Sequence, residues 1–309
     1  MAIRLDIGIP TKNRASYVAL LIQSLRAQTF QEWDLILVDD SDSGNELSQH
    51  HFLVELLKLI AHEGHRFLVI RGLQKGAPYG HNIALSVAKH PYLVRIDDDI
   101  LLQPDFLEKL VEVVQKSKEP IGAVGGVYPD LSRWLEGKSG KPYLDNPEEG
   151  FFFFPIGSLN LLGLHQRTCY TKGEPVRVEH LYSTFLYNVT AVREVGGFPL
   201  CYSPFGEGEE TDLTYRLHHC AYPLYVHPLA LGWHLLAPKG GRRQKREDLP
   251  EYFEQDKSTL LKRIYAIKQG VFDYEKEKAQ YRQFAQRYPP PAPSSLDVAY
   301  QSIVDKMFQ

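Results

Sequence analysis

The stretch Tyr92-Leu93-Val94-Arg95-Ile96-Asp97-Asp98-Asp99 decides how the chain is read: a mostly apolar run of strand length ends abruptly in three adjacent carboxylates. In extended backbone, alternate side chains point to opposite faces, so Asp97 and Asp99 are expected on one side and Asp98 on the other. Two carboxylates held together repel, and a hard divalent cation such as Mg²⁺ or Mn²⁺ is the economical way to neutralise them. Such an ion keeps positions for water and phosphate oxygens, because a carboxylate pair cannot fill its octahedron, and a nucleoside diphosphate ligand follows. An acidic turn capping the helix that opens near Pro104 is the plainer alternative.

Outward from this strand, apolar runs rich in β-branched residues alternate with amphipathic stretches, the pattern of parallel strands joined by crossover helices. Leu5–Ile9, Asp34–Val38 and Phe67–Ile70 join Tyr92–Ile96 as expected strands, and Ala15–Gln28, Leu47–His62, Tyr79–Lys89 and Pro104–Lys116 as helices. The expected fold class is α/β, a doubly wound, mainly parallel sheet with a Rossmann-like first half. Ligands of such sheets sit beyond the carboxyl ends of the strands. Those ends carry Pro10-Thr11-Lys12-Asn13-Arg14, Asp39-Asp40-Ser41-Asp42 and Asp97-Asp98-Asp99. Asp39 and Asp40 suit hydrogen bonds to a base or sugar, and equally suit a turn that bonds its own backbone.

The second half is less regular, with an expected strand at Gly122–Val127, loops from Tyr128 to about Gly150, and an apolar segment leading to Tyr182–Val189. Helices are expected at Ala191–Val195, stopped by Gly196-Gly197, and at Glu209–His218, before a strand at Leu224–His227. Lys239 to Arg246 is a basic stretch, followed by charged helical sequence from Glu251 to Arg287 and the extended tract Pro289-Pro290-Pro291-Ala292-Pro293.

Composition narrows the field. With 309 residues, 43% of them hydrophobic, the chain can bury a full core, and 35 Lys plus Arg against 38 Asp plus Glu give no net pull towards nucleic acid. Cys169, Cys201 and Cys220 lack any C-x-x-C spacing, which argues against a disulfide framework or a thiolate zinc site. The opening MAIRLDIGIP lacks the features of a secretory signal, so a cytoplasmic setting is expected. The most apolar run, Phe151 to Leu164, is broken by Pro155, Gly157, Ser158 and Asn160 and falls short of the roughly 20 residues that span a bilayer. Its four phenylalanines, Phe151 to Phe154, are expected to pack on the sheet, the alternative being a surface for lipid or a hydrophobic acceptor.

In chain order, Ile9-Pro10-Thr11-Lys12-Asn13-Arg14, Val38-Asp39-Asp40-Ser41, Gly80-His81-Asn82, Ile96-Asp97-Asp98-Asp99, Gly196-Gly197-Phe198 and Glu209-Glu210-Thr211-Asp212-Leu213 with Arg216 together resemble glycosyltransferase family 2 from about residue 3 to about residue 236. The resemblance implies the GT-A fold and transfer of a sugar from a nucleotide diphosphate donor, with inversion at the anomeric carbon. It implies that Pro10, Thr11 and Arg14 line the nucleotide pocket, that Asp40 bonds the base, uracil in many relatives, and that Gly80 and Asn82 help hold the nucleotide-sugar. Asp97 and Asp99 match the ends of the family's Asp-x-Asp motif, the first near the ribose and the last on the metal, with Asp98 at the variable middle position of the same site. Asp97 is a second metal candidate. His234, in Gly232-Trp233-His234, matches a histidine near the metal or diphosphate, and an imidazole favours Mn²⁺ over Mg²⁺.

Inversion needs one carboxylate base on the acceptor side. The family places it on the Asp of a Glu-Asp pair at a helix start; that position here is Glu210, a departure, with Glu209 and Asp212 as the other candidates. Glu209 and Asp212 share a helix face by their spacing and Glu210 points elsewhere, while the helix dipole alone favours acidic residues there. The basic stretch reads as a lid over the diphosphate, or as a solvated linker or a contact with anionic membrane. The resemblance divides the chain into a transferase domain at 1–236, with a nucleotide-sugar half at 1–127 and an acceptor half at 128–236, and a linker with helical extension at 237–309. Expected partners are a nucleotide-sugar and a glycan, lipid-linked or small-molecule acceptor, with no nucleic acid and at most peripheral contact with the inner face of a membrane. Donor sugar and oligomeric state stay open. Two other readings are a nucleotidyltransferase that makes nucleotide-sugars, for which Pro10 to Ser16 lacks the glycine-rich loop, and a non-catalytic carbohydrate-binding protein.

Overall fold

In a computed structural model that describes residues 3–128, 151–153, 168–170, 173–241 and 249–287, the apolar runs of the first half form β1 (Leu5–Thr11), β2 (Trp33–Asp39), β3 (Phe67–Arg71) and β4 (Tyr92–Arg95). They lie in the order β3-β2-β1-β4, all parallel. Burial on both faces explains why β1 and β2 read as apolar runs rather than as alternating ones. The crossovers are α1 (Ala15–Arg26), α2 (Glu46–Gln49) followed by α3 (His51–His62), and α4 (Ala77–Val87). The single helix expected over Leu47–His62 is broken at His50, whose backbone is extended and whose Nδ1 accepts the Leu53 N–H to cap α3.

The remaining elements are β5 (Ile100–Leu102), α5 (Phe106–Lys116), β6 (Ala123–Val127), the pair β7 (Phe151–Phe153) and β8 (Thr168–Tyr170), β9 (Val176–Val178), β10 (Phe185–Asn188), α6 (Val189–Glu194), α7 (Glu209–His219), β11 (Leu224–His234), α8 (Leu249–Lys268) and α9 (Tyr274–Arg287). Past β4 the sheet continues as β10-β6-β11-β5, with β9 beside β11. β10 is antiparallel to β4 and β6, and β11 runs parallel to β6 but antiparallel to β5 and β9. A parallel half and a mixed half thus share one nine-stranded sheet. β11 runs beyond the expected end at His227: its register shifts between Val226 and Leu231, around Pro228, and it then pairs with β5, setting His234 opposite Ile100. That pairing brings His234 next to the aspartate triplet.

Apolar clusters cover both faces of the sheet. One gathers Ile7, Ile9, Trp33 and Leu37 under α1, α3 and α5; the other gathers Val38, Leu93, Phe185 and Tyr187 under α4, α6 and α7. α4 lies close on β1 because Gly8 and Gly80 carry no side chain: a Cβ on Gly80 would stand 2.6 Å from that of Pro10. The helical sequence expected over Glu251–Arg287 is divided at Gly270 (φ +67) into α8 and α9. Tyr202, Tyr215, Leu260, Ile264 and Ile267 form a third cluster that fastens α8 to α7. No helix among the described residues is long and apolar enough to cross a membrane. The loops of 129–150, the phenylalanine run's side chains, most of the basic stretch and the proline tract lie outside the described residues.

Candidate active site

A cleft of about 460 Å³ opens over the carboxyl ends of β1, β2 and β4. Pro10, Thr11, Lys12 and Arg14 line it from β1 and the turn that follows, Asp40 from the end of β2, Gly76 and Ala77 from the start of α4, and Arg95 with Asp97, Asp98 and Asp99 from the end of β4. Ser183, Phe205, Glu207, Glu209, Glu210 and His234 face them from the second half.

The aspartates do not alternate as expected. Extended pairing stops at Arg95 and residues 98–99 turn, so the carboxylates that share a partner are Asp98 and Asp99, not Asp97 and Asp99. Arg14 Nη1 lies 2.7 Å from Asp98 Oδ1 and 3.3 Å from Asp99 Oδ2, and Thr11 Oγ1 donates to Asp98 at 2.7 Å. Asp97 instead accepts from Arg95 at 2.8 Å and from Ser183 Oγ at 3.2 Å. Burial pushes the Asp98 carboxyl up to about 6, with Arg14 opposing and Asp99 adding to the rise. Burial acts on Asp99 in the same sense, but His234, Arg14 and the Ala237 N–H outweigh it and hold that carboxyl at about 2.

His234 Nε2 stands 3.4 Å from Asp99 Oδ1. This ionised carboxylate and imidazole nitrogen form a donor pair of the kind that suits Mn²⁺. Among the described residues no group of three His, Cys, Asp or Glu side chains is gathered as a metal site, so an ion here would take its other ligands from water and phosphate, as hard divalent cations do. The first residues of the basic stretch lie over the same corner: Arg14 Nε donates to Lys239 O at 3.0 Å, and the Gly241 N–H to Lys12 O at 2.6 Å.

Asp39 and Asp40 are directed to different places. Asp39 accepts the N–H groups of Ser41 at 3.0 Å and Leu47 at 3.1 Å, so it is the turn and cap residue. Asp40 lines the cleft, positioned by the Gln74 N–H on its side chain and by its own N–H on Thr11 O at 2.8 Å.

Across the cleft, α7 meets the cavity end-on, so that both glutamates of its first turn reach it. Arg95 Nη1 lies 3.4 Å from Glu209 Oε1 and 3.9 Å from Glu210 Oε2. Glu209 is 1% and Glu210 19% exposed at the side chain. Burial raises both carboxyls above the usual range, Glu209 the more strongly, and the Arg95 charge opposes the rise. Arg95 Nε and Nη1 and Glu209 Oε2 make no hydrogen bond among the described residues. Asp212 is turned away from the cleft and fully buried, held by Arg216 Nε at 2.7 Å, by Arg263 and by the Tyr202 hydroxyl at 3.2 Å.

Gly80 and Asn82 are also directed elsewhere. Gly80 packs on Pro10, and the Asn82 amide bonds both backbone groups of Phe198, donating at 2.8 Å and accepting at 2.9 Å, which ties α4 to the Gly196-Gly197-Phe198 turn. His81, between them, lines the cleft, stacked on Phe198; its burial pushes the imidazole well below its ordinary range. Arg95 was overlooked by the sequence reading, and its signal was a lone cation inside an apolar strand. Ser183 and Phe205 carried no comparable mark.

The family model for glycosyl transferase family 2 matches residues 6–166, just over half of the chain. Among curated relatives, glycosyltransferase GlyG of Streptococcus pneumoniae is 26% identical over 125 residues, covering 40% of this chain and 39% of its own. The glucosyl-dolichyl phosphate glucuronosyltransferase of Haloferax volcanii is 23% identical over 181 residues, covering 57% and 49%. The chain therefore spans about half, or less, of these relatives' length. The solved mannosyltransferase PcManGT from Pyrobaculum calidifontis, in complex with GDP-Man and Mn²⁺, superposes with a TM-score of 0.55 at 14% identity over 98% of this chain and 81% of that one. GalNAc-T7 with UDP, GalNAc and Mn²⁺ superposes at 0.56 and 14% identity over 92% and 55%. At such identities the likeness is one of fold.

Proposed function

The chain belongs to glycosyltransferase family 2 and has the GT-A fold, and from that premise we propose that it is an inverting transferase, moving a sugar from a nucleotide diphosphate donor, a UDP-sugar in the first instance, to an acceptor hydroxyl. The observation that carries this reading is the single cleft in which Arg14, Asp40 and Asp99 stand on one wall and Glu209 and Glu210 on the other. Residues 1–127 would hold the donor and 128–236 the acceptor, a glycan, a lipid-linked sugar or a small hydroxyl compound.

Asp40 accepts hydrogen bonds from the base, with Pro10 and Thr11 beneath the nucleoside. Lys12, Arg14 and the amino end of α4 at Gly76 and Ala77 present positive charge and backbone N–H groups to the phosphates. Mn²⁺ accompanies the nucleotide in both solved relatives, and Asp99 and His234 are the residues that would hold a divalent ion here. Bound there, the ion would neutralise the charge that the departing diphosphate gains.

Glu210 is the base. Its side chain is the more open of the two glutamates, it takes the acceptor's proton as the new bond forms on the face opposite the diphosphate, and Arg95 favours its ionised form against burial. Glu209 stays behind it as the buried partner of Arg95. The test is release of nucleoside diphosphate from UDP- and GDP-sugars with Mn²⁺ and a panel of acceptors, with NMR of the product. An inverted anomeric linkage supports the reading; retained configuration contradicts it.

A further inference from the structure

Phe253, Asp256, Leu260 and Arg263 recur along α8 at the spacing of one helix face, and all four meet the segment from Ser203 to Asp212 that forms the second wall of the cleft. The Phe253 ring packs edge-on against Phe205, centroids 4.8 Å apart. Asp256, with no exposed surface, accepts the Ser203 N–H at 2.7 Å, the Ser203 hydroxyl at 2.7 Å and the Glu207 N–H at 2.9 Å. Leu260 lies against Gly208 (φ +81), where a Cβ would stand 2.9 Å from its Cδ2. Arg263 pairs with Asp212 and, at 2.9 Å, with Glu277 of α9.

Residues 203–208 have no strand or helix of their own, and two left-handed glycines, Gly206 (φ +75) and Gly208, shape the path. Such a loop takes its setting from what bonds its backbone. A carboxylate removed from water is retained only when its oxygens are well satisfied, and here the satisfying donors all belong to the loop that brings Phe205, Gly206 and Glu207 to the cleft and leads directly into Glu209 and Glu210.

We propose that Asp256 is a positioning residue for sugar transfer: through its three hydrogen bonds it sets the acceptor-side loop and the first turn of α7, so that turnover depends on α8, which stands outside the cleft. The inference rests on the transfer reaction proposed above, and the two can fail separately.

The full-length protein is compared with Asp256→Asn, in which an amide NH₂ faces the Glu207 N–H, and with Ser203→Ala, which keeps two of the hydrogen bonds. Calorimetry with UDP or GDP and Mn²⁺ is expected to give a Kd within about two-fold of wild type, since the three hydrogen bonds of Asp256 end on Ser203 and Glu207 and none reaches Arg14, Asp40 or Asp99. For Asp256→Asn the acceptor kcat/KM is expected to fall by about ten-fold or more, with faster amide hydrogen exchange confined to residues 203–208, and Ser203→Ala to fall between the two. Unchanged kcat/KM and exchange in Asp256→Asn would overturn the inference, as would an equal loss of diphosphate binding, which marks a merely structural role. If wild type turns over no donor, the proposed function fails, and the exchange at 203–208 still decides whether Asp256 sets the loop.

Discussion

Arg14 reaches from the turn after β1 to place Nη1 2.7 Å from Asp98 Oδ1, with Asp99 3.3 Å from the same nitrogen. Part of the charge that the triplet needs therefore comes from the chain itself, through a side chain distant in sequence. Truncating one partner of a buried pair leaves the other uncompensated. Arg14→Met is expected to lower the unfolding free energy at pH 7 by about 3–5 kcal/mol. Urea denaturation at pH 7 and pH 5 checks this: the loss should shrink at pH 5, because the Asp98 carboxyl, pushed up to about 6, is then protonated. An equal loss at both values would remove Asp98 from the explanation.

Glu210 as base implies a specific pH profile. Burial raises its carboxyl, so a protonated, inactive form persists to higher pH than for an ordinary glutamate, and kcat falls as pH drops through that raised value. Arg95→Met should move this acid limb to still higher pH. Glu210→Gln should lower kcat by about 10²–10⁴-fold. A Glu210→Gln enzyme of wild-type kcat beside an inactive Glu209→Gln would transfer the role to Glu209.

Asn82 separates a packing role from a ligand role. Its amide bridges both backbone groups of Phe198, so Asn82→Ala should cost about 2–4 kcal/mol from two unpaired buried groups and leave UDP or GDP affinity unchanged by calorimetry. Weakened nucleotide binding in a stably folded variant would restore the donor contact that the family resemblance implies.

Asp34 bears on acid stability away from the cleft. Burial works against its ionisation, but Arg4 at 2.8 Å, His90 at 2.9 Å and the Arg66 N–H at 3.0 Å hold it at about 2. Its ionised form therefore stabilises the fold above the ordinary carboxyl range, and that contribution is lost as pH falls from about 4 towards about 2. The gap in urea midpoint between wild type and Asp34→Asn should narrow over this window; a constant gap would contradict the assignment.

What was legible in the chain follows its physics. Burial on both faces makes β1, β2 and β4 visible as apolar runs, and their polar ends were expected to form the ligand rim; Arg14, Asp40 and Asp99, read from those ends, line one cleft. Side chains whose partners lie far along the chain were not: Asn82 with Phe198, Asp212 with Arg263, and Arg95 with Glu209. Asp97 lines the cleft too, but the expected pairing of Asp97 with Asp99 gave way to Asp98 with Asp99, because strand geometry was extended past Arg95 into a turn. The stripe of Phe253, Asp256, Leu260 and Arg263 stood in plain sight, but periodicity marks a face and does not say what it touches.

The most direct test is nucleoside diphosphate release from a panel of UDP- and GDP-sugars with Mn²⁺, comparing wild type with Asp99→Asn, which keeps the side-chain shape but removes its charge. The account predicts release by wild type with at least one donor, and a loss of about 100-fold or more in a variant of unchanged secondary structure. No release from any donor by wild type, or equal release by Asp99→Asn, would contradict it.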